Sequence, residues 1–398
     1  MPPLLTDWLN LLLRWTHVIA AIMWIGDSFL FVWMDRALHA PTRARPGDVA
    51  GEMWMVHSGG FYEVVKRRTL APDELPDTLH WFQWEAYTTW LSGASLLVVV
   101  YWAGARAFLL GSAGLGVGAA IAISAGSLLL AVVVYEGMCR SPLVRRPAAF
   151  ALVGYALIVV AAWGLTRVFS GRAAFLHVGA MLGTIMVANV AHVIIPGQRR
   201  MLADTRAGRP VDPAPGLRAK TRSMHNHYLT LPVLFTMLSN HYPAAWGHPL
   251  NWLVLALLVL VGAAAKVVMN EGRRTDWRVL TAGIVALIAV IGMTAHPGAV
   301  VAQGANPVRS RVPFVQARAI IARRCTTCHA THPTNPSFPA PPLGVVLEDP
   351  ARIRALAARI RERAVITKTM PLGNLTGMTG AERDTLGAWL AQGADIAP

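Results

Sequence analysis

Cys325-Thr326-Thr327-Cys328-His329 is the stretch of this chain whose residue types and spacing define a specific covalent chemistry. Two thiols three positions apart can reach the two vinyl groups of one porphyrin, and the imidazole that follows then falls beneath the ring as an axial iron ligand. Forty-one residues beyond His329, Met370-Pro371 offers a thioether for the opposite axial position, where sulfur raises the potential of the iron. Met378 is the other methionine in reach; Met370 is preferred because Pro371 follows it and the loop then leads into a terminal helix. One covalent c-type haem on Cys325, Cys328, His329 and Met370 is the expectation. A zinc knuckle on Cys325, Cys328 and His329 or His332 competes with it, but no further cysteine lies nearby to complete a zinc site.

A second set of candidates lies inside apolar runs, where ionisable groups are costly and mark functional sites by default. These are Arg14, His17, Asp27, His80, Glu85, His177, Asn189, His192, His225, His227, His241 and Lys266. Glu85, Asp27, His192 and His227 have the types that move protons, and His17 and His177 could ligate a second, b-type haem. For any single histidine the plain alternative is a hydrogen bond that ties two helices together.

The elements that must position these groups follow from composition. Apolar residues make up 54% of the 398, only 14% are charged, and the apolar part is concentrated before residue 294. Eight runs approach the ~20 residues that cross a bilayer. They centre on Leu9–Met34, Leu79–Trp102, Gly116–Tyr135, Ala148–Val168, Ala174–Ile195, Tyr228–Asn240, Trp252–Met269 and Val279–Met293. The sixth is short, carries Pro232, and is expected to kink or to begin nearer His225. No Lys or Arg precedes Arg14 and no small-residue cleavage site follows the first run, so that run is expected to persist as a helix.

Loop charges orient the set. Lys and Arg number nineteen in the odd-numbered loops against three in the even ones, which makes the odd loops cytoplasmic. Eight spans then return the C-terminus to the outside, where bacteria attach c-type haem. The net charge of +15 is accounted for by this topology signal and by anionic lipid, with no nucleic-acid partner implied. Depth sorts the buried candidates into an outer group of His17, His177 and His241 and an inner group of Asp27, Glu85, Asn189, His192, His225 and His227. Residues 294–314 are rich in Pro and Gly and read as a tether to residues 315–398. In that last part the order of haem site, Met loop and the amphipathic Ala381–Leu390 helix resembles a class I cytochrome c. The fold class expected is all-α: an eight-helix membrane bundle over 1–293, then a cytochrome c domain.

Two stretches carry a wider resemblance. Trp54-Met55-Val56-His57-Ser58-Gly59-Gly60-Phe61-Tyr62 and Leu79-His80-Trp81-Phe82-Gln83-Trp84-Glu85-Ala86-Tyr87-Thr88-Thr89-Trp90-Leu91-Ser92-Gly93, with Asn189–Gln198 in support, look like the bacterial membrane-bound urate oxidases, also called urate hydroxylases. The resemblance covers essentially the whole chain. It implies oxidation of urate to 5-hydroxyisourate with water as oxygen source, electrons passing to the c haem and on to a soluble cytochrome c or terminal oxidase. It also implies an inner-membrane protein whose N-terminus and cytochrome domain are periplasmic. It assigns no catalytic residues, so Glu85, Asp27, His192 and His227 rest on their chemistry alone. An inner site would lie ~30 Å from an outer haem, a gap that calls for a carrier such as the His17–His177 b haem; urate arriving from outside would need none. A quinol-oxidising b/c cytochrome is the alternative function.

Overall fold

The eight apolar runs fall in helices, the second only from Trp84, because each offers consecutive good helix formers that outweigh the interior glycines such as Gly93, Gly126 and Gly262. The computed structural model describes residues 3–111, 113–295, 311–336, 338 and 340–396, and of Pro3, Leu4 and Arg273 the backbone alone. The long helices are α1 (Pro3–Ala37), α2 (Trp84–Leu96), α4 (Val117–Arg140), α5 (Pro147–Val168), α6 (Gly171–Asn189), α8 (Pro213–Leu238), α10 (Asn251–Glu271) and α11 (Trp277–Ala295). Short helices α3 (Ala105–Phe108), α7 (Ile195–Arg206) and α9 (Pro243–Trp246) lie between them. A π-helical turn over Leu97–Trp102 extends α2, and another over Val190–Ile194 carries α6 straight into α7.

Six of these stretches are long and apolar enough to cross a membrane: Leu5–Ala37, Val117–Arg140, Pro147–Val168, Gly171–Arg206, Asn251–Glu271 and Trp277–Ala295. Helices α2 and α8 are the two left out. The regular part of α2 is only 13 residues long, and the first half of α8 carries Arg218, Lys220 and Arg222. Helix α8 starts at Pro213, with Asp212 accepting from the Ala214 amide at 2.9 Å, a full three turns before the expected start near His225. Pro232 sits inside it and is accommodated by Gly262 of α10, where an added Cβ would come within 3.0 Å of the proline nitrogen. Outward faces carry exposed Trp15, Ile22, Leu129, Val160 and Ile288, as the flank of a membrane protein does.

The all-α expectation fails between α1 and α2. Strands β1 (Val49–His57) and β2 (Gly60–Arg67) pair antiparallel, with Val56 opposite Phe61 and His57 opposite Gly60. The turn residues Ser58 and Gly59 both have positive φ (52° and 76°), the left-handed pair that suits a two-residue hairpin. Valine and aromatic residues on both arms favour the strand, and the His-Ser-Gly-Gly turn was the signal available in the sequence. At the base, fully buried Glu52 accepts from the Thr42 amide and hydroxyl, each at 2.8 Å, and pairs with Arg45 at 2.5 Å. The tip leaves Trp54, Val56, Phe61 and Tyr62 exposed.

Residues 311–396 form a smaller helical unit of α12 (Phe314–Arg324), α13 (Pro350–Ala355), α14 (Ala357–Ile360) and α15 (Gly380–Ala391). Phe314, Ile320, Ile321, Leu386 and Trp389 fill its core. Thr379 and Glu382 cap α15 reciprocally. Most of the expected 294–314 tether, residues 296–310, lies outside the described residues. The unit rests on the bundle through its 367–373 loop. At Gly373 (φ 55°) an added Cβ would lie 2.7 Å from the Arg106 carbonyl oxygen beside α3, and at Gly247, just past α9, one would lie 2.7 Å from Thr367. The bundle thus has a hairpin end and, opposite it, an end that carries the C-terminal unit.

Candidate functional site

The inner group expected from depth is divided among three helix junctions at the hairpin end. The first joins α1, α2 and α7. Glu85 opens α2, and one of its carboxylate oxygens, Oε2, is buried without a partner, as is Oε1 of Gln83. Asp27 of α1 and His80 lie within electrostatic range of one another, and Asp27 feels the Glu85 charge directly. Beside them opens a cleft of about 640 Å³ lined by Trp81, Gln83, Arg199, Leu202, Ala203 and Arg206. The Arg199 guanidinium stands over the Trp81 ring, 5.9 Å from its centroid. Buried Ala86, Val187 and Val190, with Trp24 and Tyr87 beside them, pack the helices behind it.

The second junction joins α4, α6 and α8 in one continuous hydrogen-bonded chain. Arg222 donates to Glu136 Oε2 at 2.6 Å and to Asn189 Oδ1 at 3.0 Å; Asn189 Nδ2 donates to Tyr135 at 3.0 Å and to Asn226 at 2.8 Å. The Tyr135 hydroxyl reaches His225 Nδ1 at 2.8 Å, and the imidazole stacks on Phe150 at 4.7 Å. Every member is satisfied, which fits a tie between helices.

The third joins α1, α8 and α10. His227 is buried with Ser28 Oγ 3.0 Å from Nδ1 and Asn270 Oδ1 2.8 Å from Nε2. Lys266 is buried beside it. His192, expected with Glu85, is exposed on the π-helical turn and joins none of the three. That turn adds a residue to the helical repeat and so redirects the side chains within it.

At the other end, His17 and His177 do not make a haem pair. His177 is fully buried; its Nδ1 donates to the Ala173 carbonyl at 2.7 Å, and its Nε2 accepts from Ser124 at 2.6 Å. The rings of Phe169 and Tyr101 close on it at 4.6 and 6.3 Å. With both nitrogens engaged, His177 has no lone pair to offer iron, so a b haem on this pair does not fit. His17 turns Nδ1 to the Thr89 carbonyl at 2.9 Å and packs on Gly93, where an added Cβ would come within 2.9 Å of its ring. His241 sits in the connection after α8. Among the described residues, Tyr101 OH and Trp246 Nε1 are buried without partners at this end.

In the C-terminal unit the residues present suit a covalent porphyrin. Cys325 and Cys328 are free thiols at the end of α12. His329 Nδ1 donates to the Val345 carbonyl at 3.0 Å, which fixes the ring and leaves Nε2 for a metal. Met378 is 3% exposed and spent in the core, whereas Met370 is half-buried on a loop. That loop is anchored by Arg383, which donates to the Met370 carbonyl at 2.7 Å and also to the Ala364 carbonyl. Burial and the Cys325 sulfur beside it act on Arg383 in opposite directions, burial prevailing and pulling its pKa down.

Sequence reasoning missed Gln83, Arg199 and Arg206 of the cleft, Tyr135, Glu136, Arg222 and Asn226 of the second junction, and Asn270 of the third. Arg199, Arg206 and Arg222 read as loop charges, although each lies within a helix.

Membrane-length apolar helices, ionisable groups held between them and an open, cation-lined cleft make a mostly helical protein compatible with a membrane setting. The family is more particular. Residues 3–295 match the model of the family described as urate oxidase N-terminal, and the chain belongs to it. No curated protein and no solved structure matches the chain.

Proposed function

We propose that this protein oxidises urate in the membrane and exports the electrons through a c haem on its C-terminal unit. Family membership supports urate oxidation by an oxidoreductase. The finer reading has eight spans, an inner-membrane location, the N-terminus and a class I cytochrome c domain in the periplasm, and a soluble cytochrome c or terminal oxidase as acceptor. Urate plus water gives 5-hydroxyisourate, two electrons and two protons, so the site must hold a planar anion, admit water and remove protons.

The observation that carries the reading is the cleft at the hairpin end. Trp81 offers a ring face to a purine, Arg199 and Arg206 offer positive charge, and Gln83 offers an unpaired acceptor to a ring N–H. Glu85 Oε2, buried and unpartnered, is the acceptor for the proton that leaves as water adds. Asp27 backs it electrostatically. A haem bound through Cys325, Cys328, His329 and Met370 supplies one-electron transfer, so each urate needs two passages. The cleft and the C-terminal unit lie at opposite ends of the bundle, ~30 Å apart, and this reading therefore requires a carrier other than a His17–His177 haem.

A second reading places urate at the end beneath the C-terminal unit. It is favoured by the seating of the 367–373 loop on α3 and by the unpartnered Tyr101 hydroxyl and Trp246 Nε1, with Arg172 nearby over the Phe108 ring at 5.5 Å.

The test is urate-driven appearance of the reduced c-haem band in the purified full chain. Glu85→Gln should slow it by at least ~100-fold, the scale of a lost acid–base group, at unchanged haem content. Near-normal rates in Glu85→Gln with a comparable loss in Arg172→Ala would move the site to the other end. Reduction by quinol but not by urate would overturn both.

A further inference from the structure

Lys266 is 1% exposed, and among the described residues it has no carboxylate partner. Its ammonium nitrogen lies on the face of Phe29, 3.0 Å from the ring centroid. A ring face is a weak counterpart for a charge taken out of water, which ordinarily requires an anionic or hydrogen-bonding partner. One helical turn further along α10, on the same face, Asn270 carries the complementary deficit. Its Oδ1 lies 2.8 Å from His227 Nε2, while its Nδ2 is buried without a partner. With Asn270 Oδ1 turned towards it, His227 Nε2 carries the ring proton, and His227 Nδ1 is then the acceptor for the Ser28 hydroxyl 3.0 Å away. The amide hydrogens of Asn270 then face away from His227, with nothing to receive them. The other charges that reach His227 are also positive: Lys266 itself and Arg36.

Lys266, whose ammonium meets a ring face, and Asn270, whose Nδ2 is buried without an acceptor, lie about 6 Å apart at their Cβ atoms by i,i+4 spacing. The setting is locally positive, and a negative charge between them is the one thing lacking. We propose that Lys266 and Asn270 hold a small inorganic anion of chloride size within the α1–α8–α10 junction. The anion accepts from Lys266 Nζ and Asn270 Nδ2 and thereby fixes the amide orientation that holds His227 between α8 and α10. The site stands apart from the Glu85 cleft and does not depend on which substrate the chain oxidises.

The test is thermal unfolding of the purified full chain in chloride, with gluconate making up a constant ionic strength. In the wild type, the midpoint should rise by on the order of 2 °C for each tenfold increase of chloride above its dissociation constant. Asn270→Asp keeps an oxygen for His227 and places a carboxylate where the anion sits. This variant should unfold at the same temperature in both salts and, in gluconate, no lower than the wild type. Lys266→Met keeps the packing on Phe29 and should also lose the chloride response. A wild-type midpoint indifferent to chloride, or a response that survives in Asn270→Asp, would overturn the proposal. If Lys266→Met does not fold, the Asn270→Asp result decides alone.

Discussion

The two ends of the bundle leave different groups unpaired. At the hairpin end the unpartnered buried atoms of the α1–α2–α7 junction are acceptors, Glu85 Oε2 and Gln83 Oε1, and two arginines line the neighbouring cleft, while Asn270 Nδ2 of the α1–α8–α10 junction is a donor. At the end beneath the C-terminal unit, among the described residues, the Tyr101 hydroxyl and Trp246 Nε1 are unpartnered, and Trp246 can only donate. Free acceptors next to cations suit removal of protons from a bound anion, and free donors suit stabilising negative charge. The proposed oxidation of a proton-bearing anion calls for both.

The largest effect that can test this contrast is at the C-terminal unit. Cys325→Ala or Cys328→Ala should impair covalent attachment of haem, leaving at most one thioether, and with it urate-driven haem reduction, read from the haem stain of denatured protein and from reduced-minus-oxidised spectra; the double variant should lose the covalent link altogether. Met370→Ala should keep the covalent haem but lose the sulfur-to-iron absorption band, while Met378→Ala should retain the band and instead loosen the core that Met378 fills. The reverse pattern would exchange the two methionines. At the hairpin end, Arg199→Ala removes a charged contact from the cleft. Its KM for urate should rise about tenfold with kcat little changed, the scale of one charge-assisted hydrogen bond. A fall in kcat alone would show that Arg199 acts elsewhere than in binding.

How much of this was legible in the sequence differs between the two parts of the chain for a physical reason. The haem reading of the C-terminal unit rests on Cys325, Cys328 and His329 being adjacent in sequence, since the chemistry proposed for them depends on that adjacency. The six membrane-length helices were readable because hydropathy accumulates along contiguous residues. The polar junctions were not readable in the same way. Asp27, Glu85, Asn189, His225 and His227 all lie at the hairpin end of the bundle, yet depth alone could not say which helices would face each other. Their partners Arg199 and Arg222 sat among residues that, as bare charges, were indistinguishable from topology signals. Helix α8 begins three turns early and takes Arg222 inside, where it meets Glu136 and Asn189. The hairpin was missed because its alternating residues were subsumed under a loop, although Ser58-Gly59 marks the turn.

Two tyrosines sharpen the contrast at smaller cost. Tyr135 at the hairpin end is bound on both sides, to Asn189 and to His225. Tyr135→Phe would strand both neighbours and should destabilise the chain by about 3 kcal/mol, on the order of two lost buried partners. Tyr101, at the other end, is 3% exposed with an unpartnered hydroxyl. Tyr101→Phe should therefore be neutral, or stabilising by up to about 1 kcal/mol. Thermal unfolding of the two variants side by side measures the difference; a large loss in Tyr101→Phe would mean that its hydroxyl has a partner in the working protein.

The smallest effect concerns the hairpin itself and its dependence on pH. Glu52 accepts two hydrogen bonds from Thr42, through the amide and the hydroxyl, and pairs with Arg45; the Thr42 bonds foremost, and then Arg45, hold its carboxyl down at about 2. An unfolded glutamate titrates near 4.5. A folded pKa below the unfolded one means that the folded hairpin gives up its proton more readily than the open one. The stabilisation is therefore fully present above about 4.5 and is lost as pH falls towards about 2. Amide exchange across Val49–Arg67, corrected for the intrinsic effect of pH, should show protection at pH 6 that declines through pH 4 and 3. Thr42→Val removes the hydroxyl bond and keeps the amide bond, so the decline should still begin near 4.5 but should be smaller and be complete at a higher pH than in the wild type. Protection that is flat from pH 6 to 3 in the wild type would mean that the hairpin is held from its Lys66–Asp35 anchor to α1 and not through Glu52.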